Sequence, residues 1–154
     1  MRVNQGMIAV AFVTLAVAGQ RLSAQMPAMK WGPAPAVFPT GAKMAVLAGD
    51  PGKAEQFTVR LDFPKGYVIP AHFHPTDEVI TVIKGTFQVG MGDKLDMKKM
   101  MALPSGGFVV APAKMNHYAR AKEHTVVQVS AMGPFAMTYV NAADNPASKM
   151  AGKK

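Results

Sequence analysis

The sequence predicts an all-β domain, a sandwich or closed barrel, and three observations carry that prediction. Residues 56–63, Gln-Phe-Thr-Val-Arg-Leu-Asp-Phe, alternate without error, with Phe57, Val59, Leu61 and Phe63 on one face and polar groups on the other. A period of two over that length marks an antiparallel strand buried on one side. Roughly nine or ten short strand-like segments follow one another, closed by proline and glycine turns. No segment sustains a helical period, and many short strands without helices hide their edges by forming a sandwich or closing a barrel.

At 154 residues the chain is one domain long. Its first residues differ in kind from the rest. Arg2 precedes the apolar run from Met7 to Ala18, and a small, polar stretch from Gly19 to Gln25 follows. A charged start, an apolar core shorter than the roughly 20 residues a bilayer span needs, and small residues at Ala18 and Ala24 read as a secretory signal over 1–24. Cleavage after Ala18 or Ala24 is expected, with a periplasmic or secreted product and no membrane span once the signal is gone. No arginine pair precedes the apolar run, so the chain is expected to cross the membrane unfolded. The absence of cysteine fits an oxidising compartment and removes thiolate from the list of metal ligands.

The net charge is +8, and loss of Arg2 and Arg21 with the signal leaves two fewer, +6. Basic residues are scattered singly apart from the pairs Lys98-Lys99 and Lys153-Lys154. A nucleic-acid partner, which needs basic clusters with exposed aromatics, is therefore excluded. The charge favours solubility and small anionic ligands.

Residues 25–42 are rich in proline and alanine, with Trp31 and Phe38 as the large apolar groups. Such a segment forms neither helix nor central strand and reads as a linker or an arm laid over the barrel; Trp31 favours the arm. A strand over 43–47 ends at the Asp50-Pro51-Gly52 turn, and Pro64-Lys65-Gly66 turns the strand at 56–63 into the next segment. Phe87, Val89 and Met91 continue the alternation, residues 94–103 read as a loop with a short strand, and strands are expected at 108–111, 117–121, 125–131 and 135–140. Residues 142–154 are small, polar and charged and read as a flexible tail.

The stretch Gly-Tyr-Val-Ile-Pro-Ala-His-Phe-His-Pro-Thr-Asp-Glu-Val-Ile-Thr-Val-Ile-Lys-Gly, residues 66–85, organises the rest. Its β-branched flanks predict two strands with a turn at Pro75-Thr76-Asp77. On a strand His72 and His74 point the same way, and Glu78 at the start of the returning strand brings a carboxylate to the same face. Two imidazoles and a carboxylate so arranged form a facial metal site. His117 lies in a second strand, proline turn and strand at 106–121. A lone histidine on an apolar face is more often a hydrogen-bonded core residue, but that reading does not account for this spacing. His124 reads as a turn residue, and Tyr118 and Arg120 as residues on the outer face of the His117 strand.

Gly66, five residues, His72-Phe73-His74, three residues, Glu78, six residues and Gly85 resemble the first cupin motif without departure. Gly106, five residues, Pro112 and then His117 resemble the second, with Lys114 where that motif has glycine and Ala121 where it often has asparagine. The resemblance spans 43–141 and implies a jelly-roll barrel, the double-stranded β-helix, with one divalent metal held by His72, His74, Glu78 and His117. Fe, Mn, Cu, Ni and Zn all suit such a donor set.

Alternation lists the expected pocket walls as Val68 and Pro70 beside His72, Ile80 and Val82 beyond Glu78, Ala119 and Ala121 beyond His117, with Phe87, Val89 and Met91 from the next strand. These walls offer neither a general base nor hydrogen bonds for sugar hydroxyls, which weighs against an isomerase. They suit a metal-dependent oxidoreductase, dioxygenase-like, acting on a small enolic or phenolic anion. The alternative is a non-catalytic metal or small-ligand binding module. Expected partners are a small anionic molecule and a second copy of the chain. A separate reading of the thirteen methionines, with Met97, Met100 and Met101 or Met26 and Met29 offering thioether sulfur to cuprous copper, competes with their use as flexible core fillers.

Overall fold

The computed structural model describes residues 28–151; the signal expected over 1–24, and Met26, lie outside the described residues. In chain order the strands are β1 (Gly32–Pro33), β2 (Lys43–Ala48), β3 (Gln56–Phe63), β4 (Val68–Phe73), β5 (Glu78–Lys84), β6 (Thr86–Met91), β7 (Met101–Pro104), β8 (Phe108–Ala111), β9 (His117–Ala121), β10 (Thr125–Met132) and β11 (Thr138–Tyr139). Two antiparallel sheets result, ordered β1-β2-β3-β10-β5-β8 and β11-β4-β9-β6-β7. This is the jelly roll expected from the sequence, and among the described residues no helix is long and apolar enough to cross a membrane.

The alternating strand β3 has the predicted bounds and buries Phe57, Val59, Leu61 and Phe63. Phe63 stacks between Tyr67 at 4.8 Å and Phe87 at 5.8 Å, so an aromatic column joins the two sheets. Gly90 on β6 has no side chain because the Tyr118 ring occupies that space; a Cβ there would meet it at 2.3 Å. Tyr118 thus packs on the outside of its sheet and donates to the Asp96 carbonyl at 3.3 Å.

One irregularity sets the orientation of the whole site. Strand β4 pairs with β9 as Ile69↔Ala119 and then His72↔His117, three residues on one strand against two on the other. This β-bulge shifts the alternation by one, so Ile69 and His72 both face inward. The expectation that Val68 and Pro70 line the pocket is therefore corrected: both are only half-buried, and Ile69 takes their place.

Three segments outside the strand ladder depart from simple alternation. In the arm it is Phe38, not Trp31, that is buried; it stacks on Phe135 at 5.8 Å. The residues around it are tied down by the Tyr67 hydroxyl donating to the Pro39 carbonyl and the Tyr139 hydroxyl donating to the Val37 carbonyl at 2.8 Å. The strand expected over 135–140 shrinks to Thr138–Tyr139, because the Phe135 N–H is drawn to the Pro51 carbonyl at 2.7 Å and its ring to Phe38 and Phe57. In the tail, Asn145 accepts from the Ala147 N–H and starts a short helix, Pro146–Ala151, with proline at the position that needs no N–H.

The turn between β8 and β9 explains how lysine stands in for glycine. Lys114 has φ +62°, the left-handed conformation, which costs a residue with a Cβ about 1–2 kcal/mol. It is held there because its N–H donates to the His74 carbonyl at 2.8 Å, while the Ala113 N–H donates to Asp77 Oδ1 at 2.7 Å. The turn carrying His117 is thereby bolted to the turn carrying His74 and Glu78. Replacing Lys114 by Gly relieves the strain at some cost in unfolded-chain entropy, and a net gain of about 0.5–1 kcal/mol is expected. Thermal unfolding checks this: Tm should rise by about 2 °C, and a fall would show that the lysine side chain contributes more than its backbone strain removes.

Candidate metal centre

His72 sits near the end of β4, His74 one residue beyond that strand, Glu78 opens β5 and His117 opens β9. Four polar side chains, three on strands and His74 just beyond β4, meet in the barrel interior, each no more than 6% exposed. Ring centroids lie 4.3 Å apart for His72 and His117, 5.0 Å for His72 and His74, and 5.4 Å for His74 and His117. One ring nitrogen from each histidine falls within 4.8 Å of the others, a spacing a single ion can bridge. Glu78 adjoins two of them, with Oε2 at 3.2 Å from His74 Nε2 and 4.0 Å from His117 Nε2.

The tautomers follow from the backbone. Nδ1 of His72 faces the Pro70 carbonyl at 2.7 Å, Nδ1 of His74 the Ala136 carbonyl at 2.7 Å, and Nδ1 of His117 the Met115 carbonyl at 3.0 Å. A carbonyl only accepts, so each Nδ1 carries the proton and donates, and each Nε2 presents a lone pair. Burial holds the imidazoles neutral. It pushes His72 down to about 3, helped by the charge His117 would carry, and His74 down to about 4; His117 is lowered for the same reason. Burial also pushes the Glu78 carboxyl up to about 7, and among the described residues no lysine or arginine is paired with it. Three neutral nitrogen donors and an uncompensated carboxylate fit a divalent cation and leave it no competing protein charge.

The donors open into a cavity of about 30 Å³ whose other walls include Ile69, Phe87, Val89 and Ala119 from one sheet, with Leu61, Phe63, Ile80, Val127 and Val129 from the facing sheet. Val82 and Ala121, expected as walls, are buried in the core outside the cavity lining, and Met91, also expected as a wall, is 43% exposed and lies outside it. Two further walls come from outside the ladder, Phe38 and Met137. The expected walls include neither: the proline-rich arm has no period to read, though Phe38 stands out there as a large apolar group, and Met137 lies in the segment expected as a strand over 135–140 but is not among the expected pocket residues.

Other expectations separate cleanly from the centre. His124 is exposed and pairs with Asp62 at 2.9 Å, so it is a turn residue. Met97 and Met101 stand exposed at the surface, and Met29 accepts from the Arg60 guanidinium at 3.4 Å. The methionine that lines the cavity beside the histidines is Met137.

A family model described as the ChrR cupin-like domain matches residues 19–136. No curated protein matches the chain in sequence. Among solved structures, a suggested acetylacetone dioxygenase from Methylibium petroleiphilum PM1 superposes with TM-score 0.60 at 20% identity, over 94% of this chain and 90% of that one. KdgF from Halomonas sp. gives 0.53 at 24% identity over 67% and 84%. A salicylate 1,2-dioxygenase variant from Pseudoaminobacter salicylatoxidans gives 0.53 at 14% identity, over 64% of this chain and 30% of that one. At these identities the likeness is one of fold.

The buried donors make the stability of the metal-free protein depend on pH. Between about 4.5 and 6.5, the unfolded values for glutamate and histidine, the unfolded chain holds more protons on His72, His74 and His117, while the folded chain holds more on Glu78. Three groups oppose one, so stability falls as pH drops through that window. Thermal unfolding in chelator should give a lower Tm at pH 5 than at pH 7, and Glu78→Gln should steepen the fall by removing the opposing group. A Tm that is unchanged or higher at pH 5 contradicts the assignment of neutral, buried imidazoles.

Proposed function

Because the chain belongs to the family of ChrR cupin-like domains, we propose that it is an exported metal protein acting as an oxidoreductase of dioxygenase type on a small enolic anion. His72, His74 and His117 hold one divalent ion through Nε2, with Glu78 as the fourth ligand. The observation that carries this reading is the convergence of three backbone-oriented Nε2 lone pairs on one apolar cavity. A redox-capable ion bound there supplies Lewis acidity and one-electron chemistry to a coordinated anion. The protein supplies orientation, charge and exclusion of water. Glu78 offsets one of two positive charges and leaves a net attraction for an anion, in a low-dielectric site where that attraction is strong. Apart from the four ligands, the lining offers no hydroxyl, amide or charged group, which disfavours an isomerase.

The size of the cavity favours a second reading. About 30 Å³ is room for roughly two waters, whereas a cavity of about 150 Å³ is what accepts benzene. Neither a phenolic nor an enolic anion therefore fits beside the ion as the walls stand, and turnover of either requires a wall to move. A protein that binds metal or a small ligand without turning it over accounts for that volume directly.

A second copy of the chain is the macromolecular partner we propose. The outward positions over Val79–Ile83 of β5, Phe108–Ala111 of β8 and Gln128–Met132 of β10 carry no charged side chain, and Val79, Ile83, Phe108, Val110 and Met132 stand exposed. Two copies of a cationic chain repel, so their contact is confined to a charge-free face such as this one.

One preparation tests these proposals. Protein purified from the cell envelope of its native host is expected to begin near Gln25, to contain about one equivalent of iron, manganese or copper, and to sediment as a dimer. It should consume oxygen with a small enolic acid, and a His72→Ala, His74→Ala variant prepared in the same way should lack the metal. An intact Met1 removes export, a monomer removes the dimer, and unchanged metal in the variant removes the site. Zinc alone, with no oxygen uptake, leaves the binding module as the function.

A further inference from the structure

We propose that Phe38 sets the size of ligand that reaches the metal centre, restricting it to dioxygen and inorganic anions of two or three heavy atoms while the arm is closed. The inference rests on the metal reading of the centre but concerns the residue that walls it. Phe38 is 7% exposed and lies between two voids. One is the metal cavity of about 30 Å³; the other is a void of about 10 Å³ lined by Met44, Pro51, Phe57 and Phe135. Phe38, Leu61, Glu78 and Val129 line both. Phe38 is the wall between the voids that does not belong to a barrel strand.

The attachment of the arm suits a removable wall. Around Phe38 the chain is Pro35-Ala36-Val37-Phe38-Pro39, and the two prolines have no N–H to join a ladder. The Phe38 N–H donates within the arm, to the Pro35 carbonyl at 2.9 Å. Polar ties from the arm next to Phe38 to the barrel come from two tyrosine hydroxyls, Tyr139 to the Val37 carbonyl and Tyr67 to the Pro39 carbonyl, one on each sequence neighbour of Phe38. Lifting the segment breaks two side-chain hydrogen bonds and one aromatic stack and exposes the apolar faces of Val37 and Phe38, but it breaks no sheet pairing, so it opens at less than the cost of unfolding the barrel. Removing the Phe38 ring, by substitution or by lifting, frees the volume of one benzene ring beside the donors.

The test uses purified protein loaded with Co(II), whose visible spectrum reports what binds the ion. Wild type and Phe38→Ala are titrated with azide and with 4-nitrocatechol. Azide should perturb both with similar affinity, while the catecholate should bind the variant at least about tenfold more tightly. Tyr139→Phe, which cuts one tie and keeps the ring, should speed catecholate binding without changing azide. It serves if Phe38→Ala fails to fold. Equal catecholate affinity in wild type and Phe38→Ala, or an unchanged catecholate rate in Tyr139→Phe, overturns the proposal. Thermal stabilisation of the metal-free proteins by benzene is a readout independent of the metal. Benzene should stabilise Phe38→Ala and not wild type, and this result alongside a failure of Co(II) to bind would remove the metal centre while keeping Phe38 as the wall.

Discussion

A single extra residue in β4 governs which side chains this barrel can bring to its interior. Without the shift between Ile69 and His72, strict alternation from Ile69 would turn His72 outward and leave His117 without its neighbour. With it, the apolar wall continues as far as Ile69 and the donor set begins at His72 on the same face. The bulge costs local ladder pairing. The loss is offset by the pairing of His72 with both His117 and Tyr139, which places the first donor between two strands rather than at an edge.

Burying three imidazoles and a carboxylate in an apolar interior is unfavourable unless each finds partners. Here the backbone meets half of the requirement. Each Nδ1 proton is taken by a carbonyl, from Pro70, Ala136 and Met115, and what remains unmet is a set of lone pairs and one carboxylate directed at the same point. The same hydrogen bonds that satisfy the rings also fix their rotation, so binding a cation requires little reorganisation. Ala136 ties the centre to the segment after β10, and the Lys114 N–H ties the His117 turn to His74. Lys114 adopts its left-handed conformation because that contact and the Asp77 carboxylate hold the turn on both sides.

Much of this was legible in the sequence wherever the information is local. His72, His74 and Glu78 lie within seven residues, and strand periodicity alone puts them on one face. His117 was reachable through a second strand and proline turn. The bulge had one local signal, Pro70, which has no N–H to give to a ladder and so belongs at an edge or a bulge; simple alternation passes over it, and the register it produces is a property of pairing between β4 and β9. Hence Val68 and Pro70 were expected where Ile69 stands. Phe38 and Met137 were missed for a related reason: both belong to irregular segments whose place is fixed by distant partners such as Phe135 and Tyr139.

The walls divide into two kinds, and the division bears on why one barrel hosts many chemistries. Leu61, Ile69, Ile80, Val89 and Val129 sit on strands paired on both sides, where a change of volume propagates through the close-packed core. Phe38 and Met137 sit on segments joined to the barrel by a few hydrogen bonds and ring contacts. A substitution at Phe38 alters the volume beside the donors without touching the carbonyls of Pro70, Ala136 and Met115 that orient them, whereas Met137 adjoins Ala136 and is less free to change. The barrel can therefore hold its histidines constant while part of the space in front of them is set by residues outside the strand ladder. Fold likeness to dioxygenases thus says little about substrate, and the aromatic ring laid across the cavity by the arm says more.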